Sequence, residues 1–207
     1  MKIAINSGLG DVVWFLPFAV ELSKKCSFEI VGNKYSAEVC AMAGIENVTH
    51  DTQHTVLIPP PGAIVARIKR YGEKNYRQIY AEATGCAGEL SSAHHALGIH
   101  PQEKALKSLL LDTPRASGLG SMTYTPNIAD FSKEILNVSD NFREITPLSP
   151  EPSLRDLFNT ISGISAGLGQ IGFLTALCHL FGKPFYPVRA DGEPDEKFNA
   201  RKRVVCL

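Results

Sequence analysis

The first twenty-five residues, MKIAINSGLGDVVWFLPFAVELSKK, restrict the fold more than any other stretch. Ile3-Ala4-Ile5 is an apolar run too short for anything but a buried strand. The chain then turns through Ser7-Gly8-Leu9-Gly10-Asp11 and enters an apolar helical stretch. Strand, glycine turn and helix in this order aim backbone N–H groups at an anionic or oxygen-rich ligand, with the helix dipole adding positive potential. Pro17 disturbs a helix that starts at Asp11. Either regular helix begins near Leu16 with Pro17 at its first position, or Pro17 kinks it.

The same alternation continues. Phe28–Val31 reads as a second strand ending at Gly32, and Ser36 as the cap of a short helix carrying Val39, Cys40 and Ala43 and closed by Gly44. Thr55–Ile58 reads as a third strand, stopped by Pro59, Pro60 and Pro61. A βαβαβ order demands a parallel sheet, with the ligand crevice at the carboxyl ends of its strands. From Gly62 to His100 the pattern is helical, with Ile64, Val65, Ile68 and Tyr71 on one face and Tyr76, Ile79, Tyr80 and Ala83 on another. Arg67, Lys69, Arg70, Lys74 and Arg77 crowd this region as a solvated helix face. The alternative is a basic wall for a phosphate-bearing acceptor. A linker over Ile99–Ala105 divides the chain into domains 1–100 and 106–207.

The second domain begins again with an apolar strand, Leu106–Leu111, followed by Asp112-Thr113-Pro114-Arg115 and a second Ser-Gly-Leu-Gly at 117–120. Asn127 is placed to cap a helix bearing Ile128, Phe131 and Ile135, with Asp130 at N3. Phe142–Thr146 reads as a strand. Ser153 opens a helix whose Leu154, Leu157, Phe158 and Ile161 form an i, i+3, i+4, i+7 stripe. Ala166-Gly167-Leu168-Gly169 nearly repeats the glycine turn, leading into an apolar helix that ends at Phe181-Gly182-Lys183-Pro184. Phe185–Val188 reads as a last strand before a charged, turn-rich tail. The halves thus share one order of elements.

Composition narrows the function classes. Lys and Arg number 21 and Asp and Glu 21, which argues against a dedicated binder of nucleic acid or membrane surfaces. No apolar run reaches the roughly 18 residues of a membrane span. The five cysteines contain no C-x-x-C pair, so the expectation is a reduced, cytoplasmic protein with buried thiols. His50 and His54 share helical spacing, but Asp51-Thr52-Gln53 between them reads as loop. No metal site and no cofactor are expected. P-loop, HExxH and G-x-S-x-G motifs are absent from the sequence.

The amino-terminal motif resembles that of the ADP-heptose:lipopolysaccharide heptosyltransferases, glycosyltransferase family nine. Ser7, Leu9, Gly10, Asp11, Val12, Val13, Pro17 and Leu22 carry the likeness. His94–Ile99 is similar to the Leu-Gly-Ile ending of that family's first half. The stretch from Gly163 to Pro184 is similar to its second signature, a strand, a Ser/Thr-Gly turn and a helix ending in Gly-Lys-Pro. The resemblance implies two Rossmann-like α/β domains facing across a cleft, a compact GT-B arrangement. It also implies metal-independent transfer of a sugar from a nucleotide-diphosphate donor to an acceptor hydroxyl, the acceptor being anionic if the basic wall meets it.

The resemblance assigns Asp11 as the base that deprotonates the acceptor; helix N-capping is its structural rival. A helix N-terminus lowers a carboxylate's pKa, and Trp14 and Phe15 would have to desolvate Asp11 to offset that. Ser7, Gly8 and Gly10 form the acceptor-side turn. Ser165, Gly167, Gly169 and Gln170 would supply donors for the leaving diphosphate, with Arg115, Ser117 and Gly118 supplying a cation and a second turn. Three departures from the family stand out. Gln170-Ile171-Gly172-Phe173 holds no histidine where the family has one, and Ile164 replaces the family's acidic residue. The family's carboxyl-terminal brace is short or missing after Arg189. A non-catalytic nucleotide- or sugar-binding protein on the same fold is the second reading. A dinucleotide oxidoreductase is third, because Val13 fills the third glycine position and Glu29 is the one candidate ribose acid.

Overall fold

β1 (Lys2–Ile5) and β2 (Glu29–Gly32) pair in parallel, Lys2 opposite Glu29 and Ile5 opposite Gly32. β3 (Val48–Thr49) joins the far side of β2, also parallel. These belong to a computed structural model of the chain that describes residues 2–5, 9–32, 34–46, 48–49, 74–103, 107–112, 128–148 and 153–205. The chain divides into two compact units, Met1–His100 and Pro101–Leu207. Both are parallel α/β structures, the class expected from the alternation of strands and helices.

In the first unit the organising element is α1 (Leu9–Ser23). Its residues Val12 to Val20 are all buried, as an apolar-all-round helix must be. It packs against α2 (Lys34–Met42), α3 (Tyr76–Thr84) and α4 (Leu90–Leu97). Phe15 and Phe18 meet Tyr80 at ring separations of 5.1 and 5.6 Å. The helix starts at Leu9 rather than near Leu16, so Pro17 lies inside it. An internal proline deletes one backbone hydrogen bond and costs about 3 kcal/mol. Burial on every side outweighs that cost, because helices in proteins draw most of their stability from packing.

Ser36 also departs from expectation. It is the third residue of α2 and fully buried, not its cap, while Gly44 closes the segment at φ +72° as expected. The third strand of this sheet is Val48–Thr49; Thr55–Ile58 and the three prolines lie outside the described residues, as do His50, His54, Arg67, Lys69 and Arg70. α3 opens on a reciprocal capping box. Gln78 donates its N–H to Asn75 Oδ1 at 2.9 Å, and Asn75 donates its own to Gln78 Oε1 at 3.0 Å. Lys74 is paired with Glu82 at 2.6 Å, and Arg77 donates to the Ala87 and Gly88 carbonyls.

The second unit holds β4 (Ser108–Asp112), α5 (Ile128–Ser139), β5 (Glu144–Pro147), α6 (Leu154–Ser162), β6 (Ala166–Gln170), α7 (Phe173–Leu180), β7 (Phe185–Val188) and α8 (Asp195–Val204). Its four strands run parallel in the order β5-β4-β6-β7. Leu109, Ala166, Leu168 and Val188 form one face of the sheet, covered by Phe131, Ile135 and Val138 of α5. On α6 the stripe Leu154, Leu157, Phe158 and Ile161 is buried, and Phe158 meets Phe181 edge to face at 6.1 Å. Ser153 caps that helix, accepting the Asp156 N–H at 3.1 Å. Asn127, assigned as the cap of α5, lies outside the described residues.

Two expectations fail in this unit. Ala166–Gln170 is a fully buried central strand, not a glycine turn. The tail is not turn-rich throughout, because Asp195–Val204 is helical. Its charges fit a helix well: Asp195 and Glu196 stand in the first turn and Arg201, Lys202 and Arg203 in the last, each sign matching the dipole.

Among the described residues Cys40, Cys86 and Cys178 are buried free thiols and Cys26 is exposed. Burial pushes the Cys40 thiol up to about 12 and Cys178 higher still, the latter raised further by nearby Asp112. No helix among the described residues is long and apolar enough to cross a membrane. Nor do they contain a group of three or more His, Cys, Asp or Glu able to hold a metal.

Candidate active site

The strand order of the second unit reverses between β4 and β6. From β4 the chain passes to β5 on one side, then returns to place β6 on the other. In open parallel sheets that reversal opens a crevice outside the carboxyl ends of the two strands, where ligands bind. Asp112 ends β4 and Gln170 ends β6.

Asp112 stands opposite Gly169. A Cβ on Gly169 would lie 2.6 Å from that of Asp112, so glycine is what lets the two strands hold the acid here. Asp112 is 5% exposed, and its Oδ1 has no hydrogen-bond partner among the described residues. Burial raises its carboxyl from the ordinary 3.8 to about 6. Gln170 stands opposite Val188 and is 6% exposed, and its Nε2 likewise lacks a partner among the described residues. Such orphans are uncommon in native structures. The two strands that end in them flank a topological switch point, which marks this edge as a candidate site, although the register puts the two side chains on opposite faces of the sheet.

The surroundings are braced by arginines. Beyond β7, Arg189 donates through Nε to Asp130 in the first turn of α5 at 2.9 Å and is also paired with Asp195 of α8. From α8, Arg201 donates to both carboxylate oxygens of buried Glu193 at 3.1 Å. It also donates to the Ile171 carbonyl in the loop between β6 and α7. Gly172 then donates its N–H to Thr175 Oγ1 at 3.1 Å. The helix at the carboxyl-terminal end thereby fixes the loop that follows Gln170.

In the first unit Asp11 lies in the opening turn of α1, half-buried. Tyr76 donates its hydroxyl to Asp11 Oδ1 at 3.2 Å. The Tyr76 ring stacks on Trp14 at 5.4 Å and on Tyr80 at 6.2 Å. Asp11 is the third helical residue rather than the cap, so its electrostatic role is that of a first-turn anion on the helix dipole.

Of the residues expected from the sequence to form one phosphate cradle, the described ones, Ser165, Gly167, Gly169 and Gln170, are spread along a strand and do not converge on one point. Gln170 is at the carboxyl edge. Ser165 is at the opposite end of the same strand, on the order of 15 Å away at 3.3 Å per residue. Its Oγ accepts the Ser108 N–H at 3.1 Å. Gly167 donates its N–H to the Pro184 carbonyl at 3.0 Å, and a Cβ there would meet Cys178 Sγ at 2.7 Å. Gly167 and Gly169 therefore make room for α7 and Asp112 instead of presenting amides to a ligand. Gly10 is in the first turn of α1 beside Asp11. Ser7, Gly8, Arg115, Ser117 and Gly118 lie outside the described residues. Asp112 was not picked out from the sequence. The available signal was an acid directly following three leucines of a buried strand. Glu29 opens β2 instead of ending it, so it stands at the wrong edge of the sheet to read a dinucleotide ribose.

No protein-family model matches the chain, and no curated protein matches it in sequence. Solved structures of similar fold are glycosyltransferases. Escherichia coli heptosyltransferase WaaC with ADP-2-deoxy-2-fluoro heptose aligns over 89% of this chain and 86% of its own, at TM-score 0.51 and 12% identity. WaaC with ADP aligns over 89% and 85%, at 0.50 and 11%. The iron-containing dodecameric glycosyltransferase TibC of enterotoxigenic E. coli aligns over 89% of this chain but 56% of its own, at 0.50 and 12%. At these identities the likeness establishes the fold, a Rossmann-like α/β fold shared with GT-B glycosyltransferases. It spans both units.

Proposed function

We propose that the protein is a glycosyltransferase of the family-nine type that moves a sugar from a nucleotide-diphosphate donor to an acceptor hydroxyl without a metal. The observation that carries this reading is the topological switch point between β4 and β6, whose strands end in two buried polar groups without partners among the described residues. Fold analogy to enzymes solved with ADP and an ADP-sugar analogue supports the same substrate class. The donor would lie over the carboxyl edge of the second unit. Asp11 would take the proton of the acceptor hydroxyl while the acceptor oxygen bonds to the anomeric carbon. The bond from that carbon to the diphosphate breaks, and the diphosphate leaves with the electron pair. Arg115, Ser117 and Gly118 are assigned to the leaving diphosphate, and the basic stretch from Arg67 to Arg77 to an anionic acceptor. Buried free thiols fit a reducing, cytoplasmic setting.

Calorimetric titration of ADP, UDP, GDP and NAD into the full chain tests the donor class. At least one nucleoside diphosphate is expected to bind, and more tightly than NAD. Binding of NAD alone, or of none of the four, would overturn the proposal. A chain that binds a nucleoside diphosphate but turns over no donor sugar would be a nucleotide-sugar-binding protein on this fold.

A further inference from the structure

We propose that Tyr76 is the positioning residue of Asp11, its hydroxyl aiming the carboxylate and holding it ionised before the acceptor seats. This rests on the reading of Asp11 as the base that takes the acceptor's proton.

The contact joins residues far apart in the chain. Tyr76 donates its hydroxyl to Asp11 Oδ1 at 3.2 Å, across a sequence separation of 65 residues. A tyrosine hydroxyl stays protonated at neutral pH and an ionised carboxylate only accepts, so the direction of the bond is fixed. At this length the bond is looser than an ordinary O–H···O contact, and bonds to catalytic groups tighten as substrate closes on them. Both residues are half-buried. The pair is partly shielded from water and still open to a ligand. What lies behind the hydroxyl is firmly held. Tyr76 is the first residue of α3 and follows the Asn75 cap, whose reciprocal bonds with Gln78 set the opening turn. Its ring stacks on Trp14 at 5.4 Å, with 23° between the planes, and on Tyr80 at 6.2 Å and 11°. Trp14 and Tyr80 are themselves buried.

Asp11 and Trp14 stand at i and i+3 on α1, neighbours on one helix face. A single tyrosine therefore grips the carboxylate with its hydroxyl and the adjoining indole with its ring. This answers a need of the chemistry. A general base acts only while unprotonated and within hydrogen-bond reach of the proton it takes. A misplacement of about 1 Å costs on the order of 100-fold in rate, so an aspartate free to rotate is a poor base. A hydrogen bond to the charged form also lowers a carboxyl's pKa. That keeps Asp11 unprotonated against the desolvation an incoming acceptor brings. Aim and ionisation thus come from the same hydroxyl, and both are readable by experiment.

Tyr76→Phe keeps the ring and its stacking and removes the hydroxyl. Three readouts on the full chain compare it with the wild type: the Asp11 titration by carboxyl-carbon NMR (assigned through Asp11→Asn), nucleotide affinity, and the pH profile of donor turnover. The Asp11 pKa is expected to rise by about one pH unit in the variant. The acid limb of the turnover profile should move up with it, and the plateau kcat should fall about tenfold, with nucleotide affinity unchanged. A hydroxyl with only a structural role leaves the Asp11 titration and the acid limb in place, and that result overturns the proposal. A fluorinated tyrosine in place of Tyr76 is a stronger donor of nearly the same shape, and should move the Asp11 pKa down. It carries the test if Tyr76→Phe fails to fold. Should Asp11→Asn turn over at the wild-type rate while Tyr76→Phe still shifts Asp11, the base reading falls and takes the role of Tyr76 with it. If Asp11→Asn is inactive and Tyr76→Phe matches the wild type throughout, Tyr76 alone is removed. Where no donor turns over, the Asp11 titration decides: a raised pKa upholds the pairing and an unchanged one overturns it.

Discussion

Asp11→Asn is expected to lower glycosyl transfer by 10²–10⁴-fold, about 3–5 kcal/mol in the barrier, while nucleotide affinity stays within twofold to threefold. The Asn side chain keeps an oxygen that can accept the Tyr76 hydroxyl, so the 3.2 Å contact survives. Because Asp11 is a first-turn residue and not the cap, losing its charge should cost only about 0.3–1 kcal/mol of stability. Asp11→Ala removes the hydrogen bond as well and should cost more. Donor hydrolysis to water serves as an assay until an acceptor is known, with acceptor transfer as the decisive measurement. An Asn variant that transfers to acceptor at the wild-type rate would remove Asp11 from the base role. Stable folding with lost turnover separates this from a structural effect.

Asp112→Asn is expected to stabilise the second unit at pH 8 by up to about 3 kcal/mol. The reason is linkage. Burial raises the folded carboxyl from 3.8 to about 6, so between those values the folded chain binds a proton that the unfolded chain does not. A raised folded pKa gives stability that is fully present below about pH 4 and lost as pH rises through about 6. The move from 3.8 to about 6 corresponds to about 3 kcal/mol. The group facing Asp112 from α7 is Cys178, whose thiol stays neutral across this range. Amide hydrogen exchange of β4 and β6 between pH 4 and 8 reads the effect locally. Wild-type protection should fall across pH 4–6 and the variant should lack that component. An identical slope in both proteins would show that Asp112 is not the titrating group.

Much of this was legible in the sequence, and the failures have physical causes. β7 coincides with Phe185–Val188, and the Ser153 cap with its Leu154–Ile161 stripe was readable because periodic burial leaves a direct mark on residue order. β6 was misread for the opposite reason. Ala-Gly-Leu-Gly has the composition of a turn, and its glycines are explained only by Cys178 and Asp112, which are distant in sequence. Of the two starts weighed for α1, the one near Leu16 fails because Pro17 argues only locally against a helix that burial by α2, α3 and α4 sustains. Tertiary packing overrode local preference in both cases. Gln170 was named from the family likeness. Its neighbour Asp112 emerged only when the pairing of β4 with β6 placed an acid at the switch point.

The buried thiols give the two units separate clocks. Cys40 sits on α2 in the first unit and Cys178 on α7 in the second, both fully buried and protonated at neutral pH. A thiol in that state reacts with an alkylating reagent only when its surroundings open. The rate of alkylation at Cys40 thus counts openings of the first unit, and that at Cys178 counts separations of α7 from Gly167. Mass spectrometry of the two peptides after a short pulse resolves them in one sample. Bound donor should slow the Cys178 clock, which lies behind the strand that carries Gly169 and Gln170, and the Cys40 clock then serves as the internal reference.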